Sequence, residues 1–392
     1  MESNYLDDNM IITHLGDEYE KYMGAVIPPI FMTSLHVKNS IEELYNTERF
    51  KEDTFIYGRE SNPTVNLVEK KIAALEHGTM ALCFGSGMAA TSSAIMSVCN
   101  SGDHVICVRN IYGPTKRFLD EYCKPKFNIT TTYVKGDSMD EIENAVKSNT
   151  KLFVFESPTS LVFGICDIKK IADFCKSRGI KTLIDNTYCT PIFQKPLDMG
   201  IDFVMHTATK YLGGHSDIIA GVLISNDIEA MKSIACRERE LYGSILGPME
   251  GWLLMRGMRT LKVRIEAHQA AAMKVAKYLE GNHRVKKVNY PGLDSHPQHE
   301  LICRQQKGSS GLLSFEIDGS ADVAAKLCDA MKVFKAGVSW GGFESLKSMP
   351  FYSANDDEAE WHGASRALIR LHVGLEGADN QIEDLEAAFK AI

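Results

Sequence analysis

The sequence predicts an α/β fold: a large, mostly parallel sheet covered by helices on both faces, followed by a smaller α+β domain. Three observations carry this. Between residues 80 and 225, short apolar runs alternate with amphipathic stretches, the pattern of strands joined by crossover helices. A long helical region, roughly 248–279, then interrupts the alternation. Beyond it come fewer strands and two closing helices.

Residues 1–60 have no strong period and carry turn signals at Pro28-Pro29 and Gly58, so they read as an arm with short helices making subunit contacts. At Ser61-Asn62-Pro63 a helix begins, with Asn62 as cap and Pro63 in the first turn. Val65, Val68, Ile72 and Leu75 share one of its faces, and Gly78 stops it. Strands are expected near 80–84, 104–108, 129–134, 151–155, 181–184, 203–206 and 220–225, with helices near 88–99, 113–124, 139–147 and 167–178. Residues 61–247 thus form a large domain. Residues 248–392 hold a linking helix and a small domain, with strands near 285–289 and 311–317 and helices near 321–331 and 379–391.

Composition narrows the function. A formal charge of −8 argues against nucleic-acid binding. No apolar run reaches the roughly 18 residues of a membrane span. The start, Met1 to Asp8, is acidic and polar, unlike a signal or transit peptide. Ten cysteines without CxxC pairs fit reduced thiols in a cytoplasm, and the histidines lack HExxH spacing, so no metal is expected.

The chemistry concentrates in two places. His206-Thr207-Ala208-Thr209-Lys210-Tyr211 puts a lysine among hydroxyls, and Asp185 ends an apolar run upstream. A lysine that forms an imine, hydroxyls for a phosphate and a carboxylate for a ring nitrogen are what pyridoxal phosphate needs. Both segments follow strand ends, where open α/β sheets bind ligands. Gly85-Ser86-Gly87-Met88 opens a helix after a strand and can bind phosphate through its amides; it is equally a plain tight turn, and it lacks the third glycine of a dinucleotide fingerprint. Asp185 can also simply cap a helix. Tyr57-Gly58-Arg59 is either a surface pair or a phosphate ligand reaching across a subunit boundary. Tyr112 can stack on a flat ring or sit half-buried in the core. Arg370, a charge inside the apolar run Leu368 to Val373, needs a partner, and an amino-acid carboxylate supplies one.

With these residues assembled, the chain resembles the Cys/Met-metabolism family of pyridoxal-phosphate enzymes, which includes cystathionine β- and γ-lyases, γ-synthases and methionine γ-lyases. The resemblance spans nearly the whole chain. It rests on Tyr57 to Thr64, Gly85 to Ala90, Asp185-Asn186-Thr187, Ala208 to Asp217, Arg256 to Leu261 and Leu368 to Leu371. It implies the fold-type I, aspartate-aminotransferase-like architecture and a homotetramer built as a dimer of active dimers. It also implies roles. Lys210 is the imine lysine and proton shuttle, Asp185 pairs with the pyridine nitrogen, and Tyr112 stacks on the ring and acts as acid or base. Gly87, Met88, Thr207 and Thr209 hold the phosphate, joined by Tyr57 and Arg59 of a neighbouring subunit. Arg370, with Ser339, binds the substrate carboxylate.

Within the family, Trp340, His372, Pro114 and Ser160 resemble the cystathionine β-lyase branch. Leu212 to His215 and Thr190-Pro191 resemble the γ-lyase and synthase side. Thr207 replaces a usual serine. The implied reaction is α,β-elimination at a C–S bond of cystathionine or a cysteine S-conjugate, giving a thiol, pyruvate and ammonia; γ-elimination or γ-replacement is the rival. An NAD-dependent oxidoreductase leaves Asp185, Lys210 and Arg370 unexplained. A catalytically silent relative would not need Lys210 and Arg370 intact. Pocket width is expected to depend on the 40–56 arm, the 113–118 turn and the 340–362 loop.

Overall fold

The computed structural model describes residues 7–47 and 54–392. Most of the acidic start therefore lies outside the described residues, as do residues 48–53 of the 40–56 arm.

Seven strands form the large sheet: β1 (Met80–Phe84), β2 (His104–Val108), β3 (Thr130–Val134), β4 (Thr150–Glu156), β5 (Lys181–Asp185), β6 (Phe203–His206) and β7 (Gly221–Ser225). Their spatial order is β1-β7-β6-β5-β4-β2-β3. β2 to β6 run parallel. β7 runs antiparallel to both neighbours, β1 and β6. The connection explains the reversal. A parallel return needs a crossover, usually helical, whereas 207–220 has no helix and folds straight back. Lys210 thereby lies in the turn from β6 to β7, at the carboxyl ends of the parallel strands.

The helix Pro63–Leu75 is capped as its sequence predicts: Asn62 Oδ1 accepts from the Thr64 N–H at 2.9 Å. Val65, Val68, Ile72 and Leu75 are buried, each contributing about 1.5–3 kcal/mol. It ends at Leu75, short of the expected stop at Gly78. The helix Gly87–Val98 starts directly after β1, with Ser86 Oγ accepting from the Ala89 N–H at 3.1 Å. The expected 113–124 helix is longer and irregular. Phe118–Cys123 form a wide π-type turn between α-helical Gly113–Arg117 and Lys124–Phe127, just before Pro125, which has no N–H to give.

The single linking helix is corrected to two, Pro248–Met258 and Leu261–Glu280. At the break the Thr260 hydroxyl donates to the Gly257 carbonyl (3.1 Å) and accepts from Arg264 Nε (3.0 Å), competing with the helical ladder.

The second sheet holds β8 (Val285–Asn289), β9 (Leu312–Ile317), β10 (Lys335–Ala336), β11 (Leu346–Ser348) and β12 (Leu368–His372), ordered β10-β11-β12-β9-β8. β10 and β11 were not expected; they are too short and too charged to show a period. Along β12, Ile369 and Leu371, with Val373 just beyond, enter this sheet's own core. By strand alternation Arg370 and His372 face the other way, towards the large sheet.

The arm has the expected short helices, at Asp8–His14, Tyr19–Tyr22 and Ile41–Asn46. It is pinned by Asp17, 3.5 Å from the buried Lys71 ammonium and 3.3 Å from Arg259. Its apolar side chains Met23, Met32, Val37 and Tyr45 are all at least 70% exposed. A cleft of about 770 Å³ between the arm and the helix Pro63–Leu75 contains none of the residues expected to do chemistry. Among the described residues, no helix is long and apolar enough to cross a membrane, and no His, Cys, Asp and Glu group could hold a metal.

Candidate active site

A cavity of about 420 Å³ opens where the strand ends of the large sheet meet the second sheet. Tyr112, Asp185, Thr207 and Lys210 line it from the large sheet; Ser339, Trp340 and Arg370 line it from the other side.

Asp185 is the last residue of β5. It accepts from the Thr187 N–H at 2.9 Å and from the Thr187 hydroxyl. Both bonds fall on Oδ1, which fixes the carboxylate. Burial raises its pKa, the Thr187 bonds opposing. The Thr187 hydroxyl also accepts from the Thr207 N–H at 2.7 Å, tying the end of β5 to the lysine turn. Lys210 Nζ donates to Ser339 Oγ at 2.6 Å and lies 5.4 Å from the centre of the Trp340 ring. Burial and the Arg370 charge together bring its pKa down to about 8, against the pull of Asp185. Arg370 donates through Nη2 to the Val338 carbonyl at 2.8 Å.

Tyr112 is 46% exposed, so it is a lining residue and not a core one. Its phenol is pushed up by burial and by the Asp185 and Glu156 carboxylates. Gly87 lies against Thr207, and Met88 Sδ is 3.8 Å from the Thr115 hydroxyl. The Thr209 hydroxyl exchanges bonds with the Ala220 backbone, accepting at 3.0 Å and donating at 3.2 Å. Tyr57 and Arg59 lie outside the cavity of their own chain: Arg59 stacks 5.0 Å from the Tyr57 ring centre and reaches Glu240 at 3.9 Å.

Glu156 was not singled out by its sequence, yet it lines the cavity. It ends β4 directly opposite Asp185 on β5, so the signal that marked Asp185, a carboxylate closing an apolar run, marked it too. It accepts from the Tyr112 N–H (2.7 Å) and from the Ser160 N–H (3.0 Å) and hydroxyl (2.7 Å). Burial and the neighbouring Asp185 raise its pKa to about 8.

Two neutral histidines lie beneath the lysine. His268 Nδ1 donates to the Val373 carbonyl at 2.8 Å, and the His372 ring centre is 5.2 Å away. Burial lowers His268 to about 4, with Val373, Glu376 and Glu344 opposing and Arg264 assisting. Burial, then His268, Arg370 and Lys210, lower His372 to about 3, with the Gly342 carbonyl opposing. Both folded values lie below the ordinary 6.5, so the unfolded chain binds more protons as pH falls. Their contribution to stability is complete above about pH 6.5 and is lost as pH drops towards 3. Denaturant midpoints measured from pH 7 to 4 are expected to fall, and less steeply in His268→Gln; an equal slope in that variant contradicts the assignment.

These residues fit pyridoxal phosphate. The half-buried Asp185 carboxylate, with its pKa raised, would be stabilised by a ring N–H. The amide end of the Gly87–Val98 helix and the Thr207 hydroxyl form a cradle a side chain would fill: a Cβ on Gly87 would sit 2.2 Å from Thr207 Oγ1. Gly87→Ala is expected to weaken cofactor affinity about 10- to 100-fold, the usual cost of such overpacking. Equilibrium dialysis checks it, and unchanged affinity counts against the cradle.

Residues 9–390 match the profile of the Cys/Met metabolism PLP-dependent enzymes. The chain is 37% identical to cystathionine gamma-lyase of Dictyostelium discoideum over 381 residues, 96% of each chain. It is 36% identical to cystathionine beta-lyase of Lactococcus lactis over 383 residues, 97% of this chain and 98% of that one. The crystal structure of metB from Corynebacterium glutamicum superposes with a TM-score of 0.92 at 32% identity, covering 100% of this chain and 99% of the other. The architecture is that of fold-type I, the cofactor that of the family, and the chain belongs to the Cys/Met metabolism PLP-dependent enzymes.

Proposed function

We propose that the chain is a carbon–sulfur lyase performing α,β-elimination on cystathionine or a related cysteine S-conjugate, with a thiol, pyruvate and ammonia as products. One observation carries the reading: the Lys210 amine, the Asp185 carboxylate and the Arg370 guanidinium share one cavity. The bound cofactor supplies an electron sink that lets the bond from Cα to hydrogen break. Arg370, with Ser339, binds the substrate carboxylate as a charged fork. Lys210, with its pKa near 8, takes the α-proton near neutral pH. Asp185 keeps a proton on the ring nitrogen, and Gly87, Met88, Thr207 and Thr209 hold the phosphate. Tyr112 covers the ring and, with its phenol pushed up, acts as an acid.

Tyr57 and Arg59 act in this reading on a neighbouring subunit's phosphate, in a homotetramer built from active dimers. Their absence from the cavity lining of their own chain and the exposed apolar arm support this. Residues 1–60 are then the contact arm, 61–247 the cofactor domain and 248–392 the closing domain, in a cytoplasmic enzyme. γ-Elimination is the second reading, favoured by the name of the Dictyostelium relative. The keto acid formed from cystathionine decides: pyruvate supports β-elimination, and 2-oxobutyrate overturns it.

A further inference from the structure

The loop from Val338 to Gly342 carries two side chains that reach the lysine, Ser339 and Trp340, and it is held at several points. Arg370 takes the Val338 carbonyl, and Lys210 takes Ser339 Oγ. Gly341, at φ +85°, packs its backbone so closely that a Cβ would lie 2.8 Å from the Tyr211 nitrogen and 3.0 Å from Lys210 Cα. The remaining tie is His372. Its Nε2 lies 3.1 Å from the Gly341 N–H and 3.1 Å from the Gly342 carbonyl. Arg370 and His372 are two residues apart on β12 and share its inward face. One strand face therefore clasps both ends of the loop.

The geometry points to His372 as a positioning residue that fixes Ser339 and Trp340 over Lys210, and so sets which substrates the site prefers. The neutral ring serves the loop in either tautomer: with the proton on Nδ1, Nε2 accepts the Gly341 N–H, and with the proton on Nε2 it donates to the Gly342 carbonyl. Nothing else among the described residues bonds Nδ1, so the imidazole's polar work is spent on the loop. The force is passed on by packing. The Tyr211 ring lies 5.8 Å from His372 and 5.5 Å from Trp340, so a shift of the loop moves Trp340 against a fixed wall. Val338, Ser339 and Trp340 all line the cavity, so a change in their position changes the room it leaves for a substrate. The consequence for selectivity rests on the lyase reading; the consequence for the loop does not.

The test compares holoenzyme with His372→Leu, His372→Gln and His372→Asn. Glutamine carries its carbonyl oxygen as many bonds from Cα as Nε2, whereas asparagine reaches only as far as Nδ1. Two quantities are read. One is hydrogen exchange of the peptide spanning 338–342. The other is the ratio of kcat/KM for cystathionine to that for S-methylcysteine. In the Leu and Asn variants, exchange is expected to rise about 10-fold, the worth of one net hydrogen bond, and the ratio to shift by a similar factor. Gln is expected to restore both to within about 3-fold.

Unchanged exchange in Leu, or Gln no closer to the parent than Asn, overturns the proposal. A loosened loop with both substrates slowed equally also overturns it, because a general loss of fold scales both alike. Should the Leu variant not fold, the Gln and Asn pair decides alone. A parent enzyme that turns over neither substrate sinks the lyase reading, while the exchange measurement still judges the positioning role.

Discussion

Lys210→Ala is expected to reduce kcat by at least about 10³-fold, since a positioned proton acceptor is worth roughly 10²–10⁴ and the covalent anchor goes with it. Among the described residues lining the cavity, Lys210 is the only lysine. Arg370 lines the same cavity but stays protonated even with its pKa lowered by burial, and Tyr112 is pushed up, away from service as a base at neutral pH. The absorbance spectrum checks the variant alongside the rate. The band of lysine-linked cofactor should be missing even at saturating cofactor, and denaturation should release all of it. A retained band assigns the anchor to another lysine.

The second large effect is expected at Asp185. Asp185→Asn keeps an Oδ1 for the Thr187 N–H and hydroxyl, so the geometry survives and only the charge is lost. A protonated ring nitrogen then loses its partner, at a cost of about 3–5 kcal/mol, and kcat is expected to fall roughly 10²- to 10⁴-fold. KM should move far less, because the substrate carboxylate is held elsewhere, by Arg370. Steady-state kinetics at measured cofactor occupancy read this out. A variant within a few-fold of the parent would remove Asp185 from the chemistry.

Much of this site was legible because the large sheet is buried on both faces. Strands such as β2 and β7 are buried at every position, so they stand out as unbroken apolar runs, and the residues that follow them mark the ligand edge. Asp185 and the turn from Thr207 to Lys210 were found in that way. Burial on both faces also erases direction, so the reversed β7 was not legible. Glu156 carried the same signal as Asp185 but gained its meaning only when β4 was found beside β5.

The remainder depends on contacts distant in sequence. Residues 248–258 and 261–280 are parted by Arg259 and Thr260 alone, and the Thr260 hydroxyl bonds back to the Gly257 carbonyl. The placement of Ser339 and Trp340 is set by Arg370, His372 and Lys210, none of which adjoins them in the chain. Tyr57 and Arg59 pair with each other on their own chain, so their reach across a boundary was an inference from resemblance.

The central claim is that the cofactor aldehyde is bonded to the amine at position 210. Reducing the enzyme with borohydride, digesting it and weighing its peptides tests that bond directly. The reduced cofactor's mass is expected on the peptide containing Lys210 and on no other. The same mass on a different lysine peptide, or on none, would contradict it.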